Sequence, residues 1–228
     1  MENAMPYTLT LKDIEPVTHD TNHLTFEKPE GFAFEPGQAT DFALDKYGWR
    51  DEKRPFTFTS LPDADTLEFV IKSYPEHDGV TEQIAKMKPG DHAIIDDPWG
   101  AIEDEGKGTF IAGGAGITPF IAILRKRLKE KGSLEGCKLI FSNSTEKDII
   151  LREEFEAMPG LKTVFTVTDQ DEAGVLTQKI DKSFLAEHIG PLDGHFYVCG
   201  PEPMIDDIVA DLKSLGVAED QIVIEDFD

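Results

Sequence analysis

The stretch Gly-Gly-Ala-Gly-Ile-Thr-Pro-Phe, residues 113–120, follows an apolar strand-like run and precedes a helix-like one. Small residues at Gly113, Gly114 and Gly116 allow a ligand to approach the backbone. Thr118 and Pro119 are predicted to be the N-cap and the first helical residue, with exposed amides facing a pyrophosphate. The stretch indicates a dinucleotide site, although a tight turn that binds nothing would use the same residue types.

A second glycine loop, Cys-Gly-Pro-Glu-Pro-Met at residues 199–204, also joins an apolar strand to a helix. Ligands of doubly wound sheets bind at the carboxyl ends of the strands, where Cys199 is predicted to lie. Followed by Gly200, the thiol is expected to point at the ligand cleft, although a buried cysteine is otherwise only a small hydrophobe. No histidine stands near it in sequence, so it is not predicted to be a nucleophile.

A third stretch, Arg-Pro-Phe-Thr-Phe-Thr-Ser at residues 54–60, places a cation ahead of alternating rings and hydroxyls. The alternation is typical of a strand. Taken alone, Arg54 would be read as one half of a surface ion pair with Asp51 or Glu52.

The elements that must position these stretches fall into two sets. Up to about residue 100, short runs with period-two apolar spacing predict an antiparallel barrel or sandwich interrupted by one helix, Val-Thr-Glu-Gln-Ile-Ala-Lys-Met. From residue 109, strand-like and helix-like runs alternate, which predicts a doubly wound parallel sheet covered on both faces. The predicted domains are residues 1–101 and 107–228.

Composition excludes several classes of protein. A formal net charge of −23 disfavours nucleic acid and anionic membrane surfaces as partners. Two cysteines are too few for an iron–sulfur cluster or a disulfide framework, and no metal site is predicted. No apolar run reaches the roughly 18 residues of a membrane span and no signal-peptide pattern is seen, so a cytoplasmic location is expected.

Taken in order, these motifs resemble those of the ferredoxin-NADP reductase superfamily over essentially the whole chain. Its pattern of arginine, any residue, aromatic, and Ser or Thr on a barrel strand is matched by Arg54, Pro55, Phe56 and Thr57. Its Gly-x-Ser/Thr turn opening the barrel helix is matched at residues 79–81, and the two glycine loops match its nicotinamide motifs. The resemblance implies an FAD-binding barrel and an NAD(P)-binding α/β domain.

The resemblance also implies roles for individual residues. Arg54 would neutralise the FAD pyrophosphate, Phe56 would lie along the flavin, and Thr57 would reach toward flavin N5. The residues implied to bind FAD are Arg54, Pro55, Phe56, Thr57, Ile71, Lys72, Gly79, Val80, Thr81 and Phe227. Those implied to bind the nicotinamide coenzyme are Gly113, Gly114, Gly116, Ile117, Thr118, Asn143, Ser144, Cys199, Gly200, Pro201 and Met204.

Thr57, Cys199 and Glu225 would line the hydride-transfer site, by the same resemblance. The chain departs from the superfamily's pattern at Phe56, where tyrosine is more frequent, and at Asp228, which extends past the terminal aromatic Phe227. These departures affect the details of ring stacking.

The activity implied is transfer of hydride from NAD(P)H to FAD and of electrons onward to a separate small redox protein. The alternatives are a reductase of free flavins and a cofactor-holding subunit of a larger complex. NADH is slightly favoured over NADPH, because Asp169 and Asp171 would repel a 2′-phosphate while Lys147 and Arg152 lie further on. The basic run on the helix after residue 118 could dock the acceptor, or be a solvated face.

Overall fold

The computed structural model describes residues 6–74, 77–100, 102–171 and 174–224. The chain forms two compact units that divide between residues 101 and 102. In the described part, no helix is both long enough and apolar enough to cross a membrane.

The N-terminal unit is an antiparallel sheet of six strands that curls into a nearly closed barrel. The strands are β1 (Tyr7–Pro16), β2 (Thr21–Glu27), β3 (Ala39–Leu44), β4 (Arg54–Thr57), β5 (Thr66–Lys72) and β6 (His92–Ile95). Their order across the sheet is β4-β3-β6-β1-β2-β5. Just after β4, the amide of Thr59 donates to the carbonyl of Glu68 in β5 at 2.9 Å, which brings the two edges together. The predicted barrel is confirmed.

Aromatic and aliphatic side chains fill the barrel, as period-two spacing predicts. In β5 this spacing predicts that Leu67, Phe69 and Ile71 face inward. All three point into the core, where Phe69 packs edge-on against Phe26 and Phe42. The helix α1 (Val80–Ile84) is three residues shorter than predicted. Beyond it the amides of Lys86 and Met87 bond to carbonyls three residues back, which tightens the chain into a turn.

The C-terminal unit is a five-stranded parallel sheet with helices, which confirms the doubly wound fold. Its strands are β7 (Gly108–Gly113), β8 (Lys138–Asn143), β9 (Lys162–Val167), β10 (His195–Cys199) and β11 (Ile222–Ile224). Its helices are α2 (Thr118–Lys131), α3 (Arg152–Ala157), α4 (Lys182–His188) and α5 (Glu202–Ser214). The strand order is β11-β10-β7-β8-β9, so β7 and β10, which carry the two glycine loops, are neighbours.

The helix-like run Thr-Gln-Lys-Ile-Asp-Lys-Ser-Phe-Leu-Ala-Glu-His predicts a helix over residues 177–188, but α4 begins five residues later. Leu176 instead bonds along β9, donating to the carbonyl of Phe165 and accepting from the amide of Val167. Asp181 then caps the helix, because its carboxylate accepts from the amide of Phe184 at 2.9 Å. Residues 177–181 were therefore wrongly predicted to be helical.

Candidate functional site

The two glycine loops of the C-terminal unit pack against each other through their backbones. A Cβ at Gly116 would lie 2.4 Å from the carbonyl oxygen of Cys199, and one at Gly113 would lie 2.3 Å from the sulfur of Met204. A Cβ at Gly200 would come within 3.2 Å of the Gly113 amide nitrogen. These glycines are required because the loops touch, so the two predicted motifs form one unit at the carboxyl edge of the sheet.

Gly114 differs from its neighbours because it faces open space. Its φ is +51°, and no atom lies within 4 Å of a Cβ placed there. The backbone of this turn is therefore accessible to a ligand from the side that Gly114 occupies.

The start of α2 corrects one prediction. A 3-10 turn, Gly114–Ile117, runs directly into the helix, so buried Ile117 is the N-cap and Thr118 is the first helical residue. The Thr118 hydroxyl donates to the carbonyl of Ala115 at 3.0 Å instead of capping the helix amides. The prediction of Thr118 as N-cap was wrong because the chain is already helical before it.

Asn143 provides the clearest sign that this edge is suited to a polar ligand. It ends β8 one residue beyond Ser142, which lies opposite Gly113 in the parallel register. The side chain is 6% exposed, and neither its amide nitrogen nor its amide oxygen has a hydrogen-bond partner among the described residues. Buried amides are nearly always satisfied, so an exception at the ligand edge of a doubly wound sheet fits a bound dinucleotide.

The other predicted residues of this edge lie on the β8 and β10 loops. The Ser144 carbonyl accepts from the amide of Asp169 at 2.8 Å. Cys199 ends β10 opposite Ala112 and is 8% exposed. Pro201 caps α5, its carbonyl accepting from the amide of Met204 at 2.8 Å.

An acidic network beyond β8 was missed by sequence reasoning. The Glu146 carboxylate accepts from the amide of Gly174 at 2.6 Å and from the Arg152 guanidinium at 2.9 Å. These two contacts hold the pKa of Glu146 below its usual value. Arg152 is also bonded to Glu156 at 3.0 Å. The guanidinium considered as a 2′-phosphate partner is thus engaged by two carboxylates.

The barrel strand β4 presents its arginine at the surface. Arg54 donates to the carbonyl of Lys53 at 2.7 Å, and its second terminal nitrogen lies 3.5 Å from the Glu52 carboxylate. Its side chain is 51% exposed, so the ion pair considered from the sequence exists but is weak. Pro55 is also exposed. The guanidinium can therefore turn toward an anionic ligand at small cost.

Phe56 and Thr57 follow on the same strand, and both are half-buried. The Phe56 ring meets Phe42 edge-on at 5.6 Å, so one side of the ring belongs to the barrel core. Thr57 lies opposite Ala39 of β3.

The second FAD element lies where β5 leads into α1. The Lys72 ammonium is 3.0 Å from Asp20. Burial opposes ionisation of Asp20, but hydrogen bonds from Lys72 and Thr18 hold its pKa below the usual value. Ile71 and Val80 are buried in the barrel core.

The turn before α1 is open at its glycine. A Cβ at Gly79 would meet nothing closer than the His77 carbonyl at 3.8 Å, and no side chain caps the helix there. The Thr81 hydroxyl accepts from the amide of Tyr74 at 3.3 Å. Packing does not require glycine at this position, which fits a turn approached by a cofactor phosphate.

The predicted hydride-transfer residues fall in different parts of the chain. Thr57 belongs to the N-terminal unit and Cys199 to the C-terminal unit, while Glu225 and Phe227 lie outside the described residues. Their convergence stays a prediction.

Two arginines of the basic run on α2 form ion pairs within the C-terminal unit. Arg125 forms a two-pronged bond with Glu154 at 2.7 and 2.9 Å. Two nitrogens of Arg127 donate to the Asp104 carboxylate. Burial favours the neutral form of Arg127, but the contacts with Asp104 outweigh it and raise the pKa of Arg127. These contacts weaken the hypothesis that the run docks an acidic carrier.

Comparison with known proteins identifies both units. Residues 8–103 match the model of the oxidoreductase FAD-binding domain, and residues 110–210 match that of the oxidoreductase NAD-binding domain. The chain belongs to the ferredoxin-NADP reductase superfamily. It carries one FAD-binding and one NAD-binding domain of that superfamily, in the order that the sequence motifs predicted.

A curated relative is similar to this chain across both domains. NADH-cytochrome b5 reductase 2 of Mycosarcoma maydis is 32% identical over 221 residues, which cover 87% of this chain and 63% of that protein. This chain thus spans less than two thirds of that relative's length.

Solved structures in the superfamily share the fold. The CS-b5R domains of human Ncb5or in the NAD+ form superpose with a TM-score of 0.85 at 26% identity, covering 97% of this chain and 70% of that one. A ferredoxin NADP+ reductase from Neisseria gonorrhoeae with bound FAD and NADP gives 0.82 at 22% identity, covering 98% and 99%.

Proposed function

We propose that the protein is an FAD-dependent NADH reductase that passes electrons to a separate one-electron carrier protein. The observation that carries the proposal is the presence, in one chain, of an FAD-binding domain at residues 8–103 and an NAD-binding domain at 110–210. When bound, FAD accepts hydride from the nicotinamide and can release the electrons singly. The protein itself contributes binding and orientation.

Each predicted group has a specific task under this proposal. Arg54 and the turn at Gly79 would bind the FAD pyrophosphate, and Phe56 would limit the movement of the flavin ring. Thr57 would offer its hydroxyl to the flavin, and Glu225 would support proton transfer there. Cys199 would hold the nicotinamide end of the coenzyme and the loop at Gly113–Gly116 its pyrophosphate, while Asn143 would offer its amide to the dinucleotide.

NADH is the proposed coenzyme. A 2′-phosphate near the end of β8 would meet Glu146, whose pKa is depressed, and an Arg152 already bonded to two carboxylates. The negative charges of these carboxylates would repel a 2′-phosphate. In addition, the M. maydis relative is named for NADH.

The proposed acceptor is a small redox protein of the cytochrome b5 kind. Support comes from the name of the M. maydis relative. The net charge of −23 predicts that an acidic acceptor binds more weakly at low salt than at moderate salt, which screens the repulsion. A cytoplasmic location stays a prediction.

The proposal is tested with the purified chain after desalting. A yellow protein that reduces ferricyanide and cytochrome b5 with NADH, and does so more slowly with NADPH, is the expected result. Loss of flavin on desalting together with turnover of added free flavin would instead make the chain a free-flavin reductase. Retained FAD with no NADH oxidation by any acceptor would make it a subunit that acts only in a complex.

A further inference from the structure

A second groove opens at the opposite edge of the parallel sheet from the glycine loops. It has a volume of about 420 Å³ and lies at the amino-terminal ends of β7 to β10. Among the side chains that line it are Lys138, Lys162 and His195. Neither the FAD-binding nor the nicotinamide-binding residues take part in it.

The two lysines of this groove are direct neighbours on adjacent strands. Lys138 begins β8 and lies opposite Lys162, which begins β9. Like charges directly opposite each other in a sheet are destabilising. Burial, and next the charge of Lys162, lower the pKa of Lys138. The repulsion between the two ammonium groups therefore destabilises the sheet. A strand at either position could form equally well without a lysine.

Neither lysine has an acidic partner within the described part of the chain. The Lys138 ammonium donates to the His188 carbonyl at the end of α4, and Lys162 is exposed. By contrast Arg125, Arg127 and Arg152 of the same unit are all bonded to carboxylates. In a chain with 45 acidic and 22 basic residues, an adjacent lysine pair left without a carboxylate is a feature to be explained.

A third ammonium lies at the rim of the groove. A Cβ at Gly136, one of the lining residues, would lie 3.5 Å from the Lys107 nitrogen. Two acidic residues, Glu135 and Asp193, also line the groove. Their negative charges would repel an anion that extends toward them. Buried Ile189 and Phe196 supply an apolar part of its wall.

We propose that this lysine-pair groove binds a phosphate monoester. The strands that carry Lys138 and Lys162 are about 4.8 Å apart, so one tetrahedral dianion can accept hydrogen bonds from both ammonium groups. The groove is larger than a phosphate ion, and its apolar wall can contact a small organic group. Binding removes the repulsion between the lysines, so the ligand stabilises the folded C-terminal unit.

The test measures thermal unfolding of the flavin-loaded protein at fixed ionic strength with saturating NAD+, which fills the phosphate sites of the other edge. The probes are glycerol 3-phosphate and inorganic phosphate, compared with chloride. Glycerol 3-phosphate at about ten times its Kd should raise the Tm by about 3 °C. A larger rise with the monoester than with inorganic phosphate identifies an organic ligand, whereas equal rises would overturn the monoester assignment.

Lys162→Gln is the main variant, and Lys182→Gln is its control. Both lysines are exposed and both changes remove one positive charge from the same unit. Lys162→Gln should weaken glycerol 3-phosphate binding about tenfold by calorimetry, while Lys182→Gln leaves it unchanged. Equal binding by all three proteins would overturn the proposal, as would no binding by the wild type.

Lys162→Glu gives a second test, in which the expected result is a gain in stability and so cannot be caused by a folding defect. A glutamate opposite Lys138 replaces repulsion with attraction, so this variant should have a higher Tm than the wild type in chloride. In saturating glycerol 3-phosphate the difference should shrink or reverse, because only the wild type gains from the ligand. A Tm difference that is the same in both solutions would show that the groove binds no phosphate.

Discussion

Two proposed binding regions are built in different ways. They are the edge of the C-terminal unit that carries the two glycine loops, called the nicotinamide edge, and the barrel strand β4, called the flavin strand. At the nicotinamide edge, Gly113, Gly116 and Gly200 pack so closely that a Cβ would collide with a neighbour. On the barrel strand, Arg54 is half exposed and, among the described residues, contacts its near neighbours Lys53 and Glu52. One site is thus fixed by backbone packing before a ligand binds, whereas the other depends on a side chain that must change partner.

The largest effect is expected at Gly116. Gly116→Ala places a methyl group 2.4 Å from the Cys199 carbonyl, where backbone and not a flexible side chain must move. We expect a loss of stability of about 1–3 kcal/mol and at least tenfold weaker NADH binding. Chemical unfolding and NADH titration measure these two effects.

Gly114→Ala is the matched control for that change. Its methyl group would meet no atom within 4 Å, and only the φ of +51° opposes it. The cost should be about 1 kcal/mol. If both variants were equally stable, the close packing of the two loops would not be what fixes the nicotinamide edge.

The next largest effect is expected at Arg54. Arg54→Ala should weaken FAD binding by about 1.5–3 kcal/mol, because a charge-assisted hydrogen bond to phosphate is lost. Arg50→Ala is the control, since Arg50 is also exposed and is paired with Asp45 on the same loop. Flavin content after gel filtration should fall only in Arg54→Ala, and the apo protein's stability should not change.

A smaller effect is expected at Cys199. Cys199→Ala should leave FAD bound but slow the reduction of the flavin by NADH by a few-fold, because the nicotinamide loses a positioning contact. Stopped-flow absorbance measures the rate. An unchanged rate would remove Cys199 from the nicotinamide edge and leave it as a small buried side chain.

Glu146 is expected to affect both the pH dependence of stability and the choice of coenzyme. Its folded-state pKa lies below the usual 4.5, so its network stabilises the fold above about pH 4.5 and loses that contribution as pH falls through the folded pKa. Glu146→Gln should lower the Tm at pH 7 but not at the lowest pH, and should raise the ratio of NADPH to NADH activity. A ratio that stays constant would separate Glu146 from coenzyme choice.

The sequence was most informative where local residue types determine the backbone. Period-two spacing predicted that Leu67, Phe69 and Ile71 would face the barrel core, and the glycine loops predicted the edge at which β7 and β10 end. Both depend on short-range rules of strand geometry and turn formation.

Features that depend on distant contacts could not be predicted. Glu146 and Gly174 are 28 residues apart, so their hydrogen bond has no local signal. That the Asn143 side chain has no hydrogen-bond partner in the described part of the chain becomes visible only when its neighbours are placed in three dimensions. Thr118 has the sequence of an N-cap, but the 3-10 turn before it starts the helix earlier.

The most direct test of the proposed function is an anaerobic absorbance titration of the FAD-loaded protein with NADH. The flavin band near 450 nm should bleach with about one equivalent of NADH, since hydride carries both electrons that FAD accepts. A protein that takes up no FAD, or whose bound flavin stays oxidised in excess NADH, would contradict it.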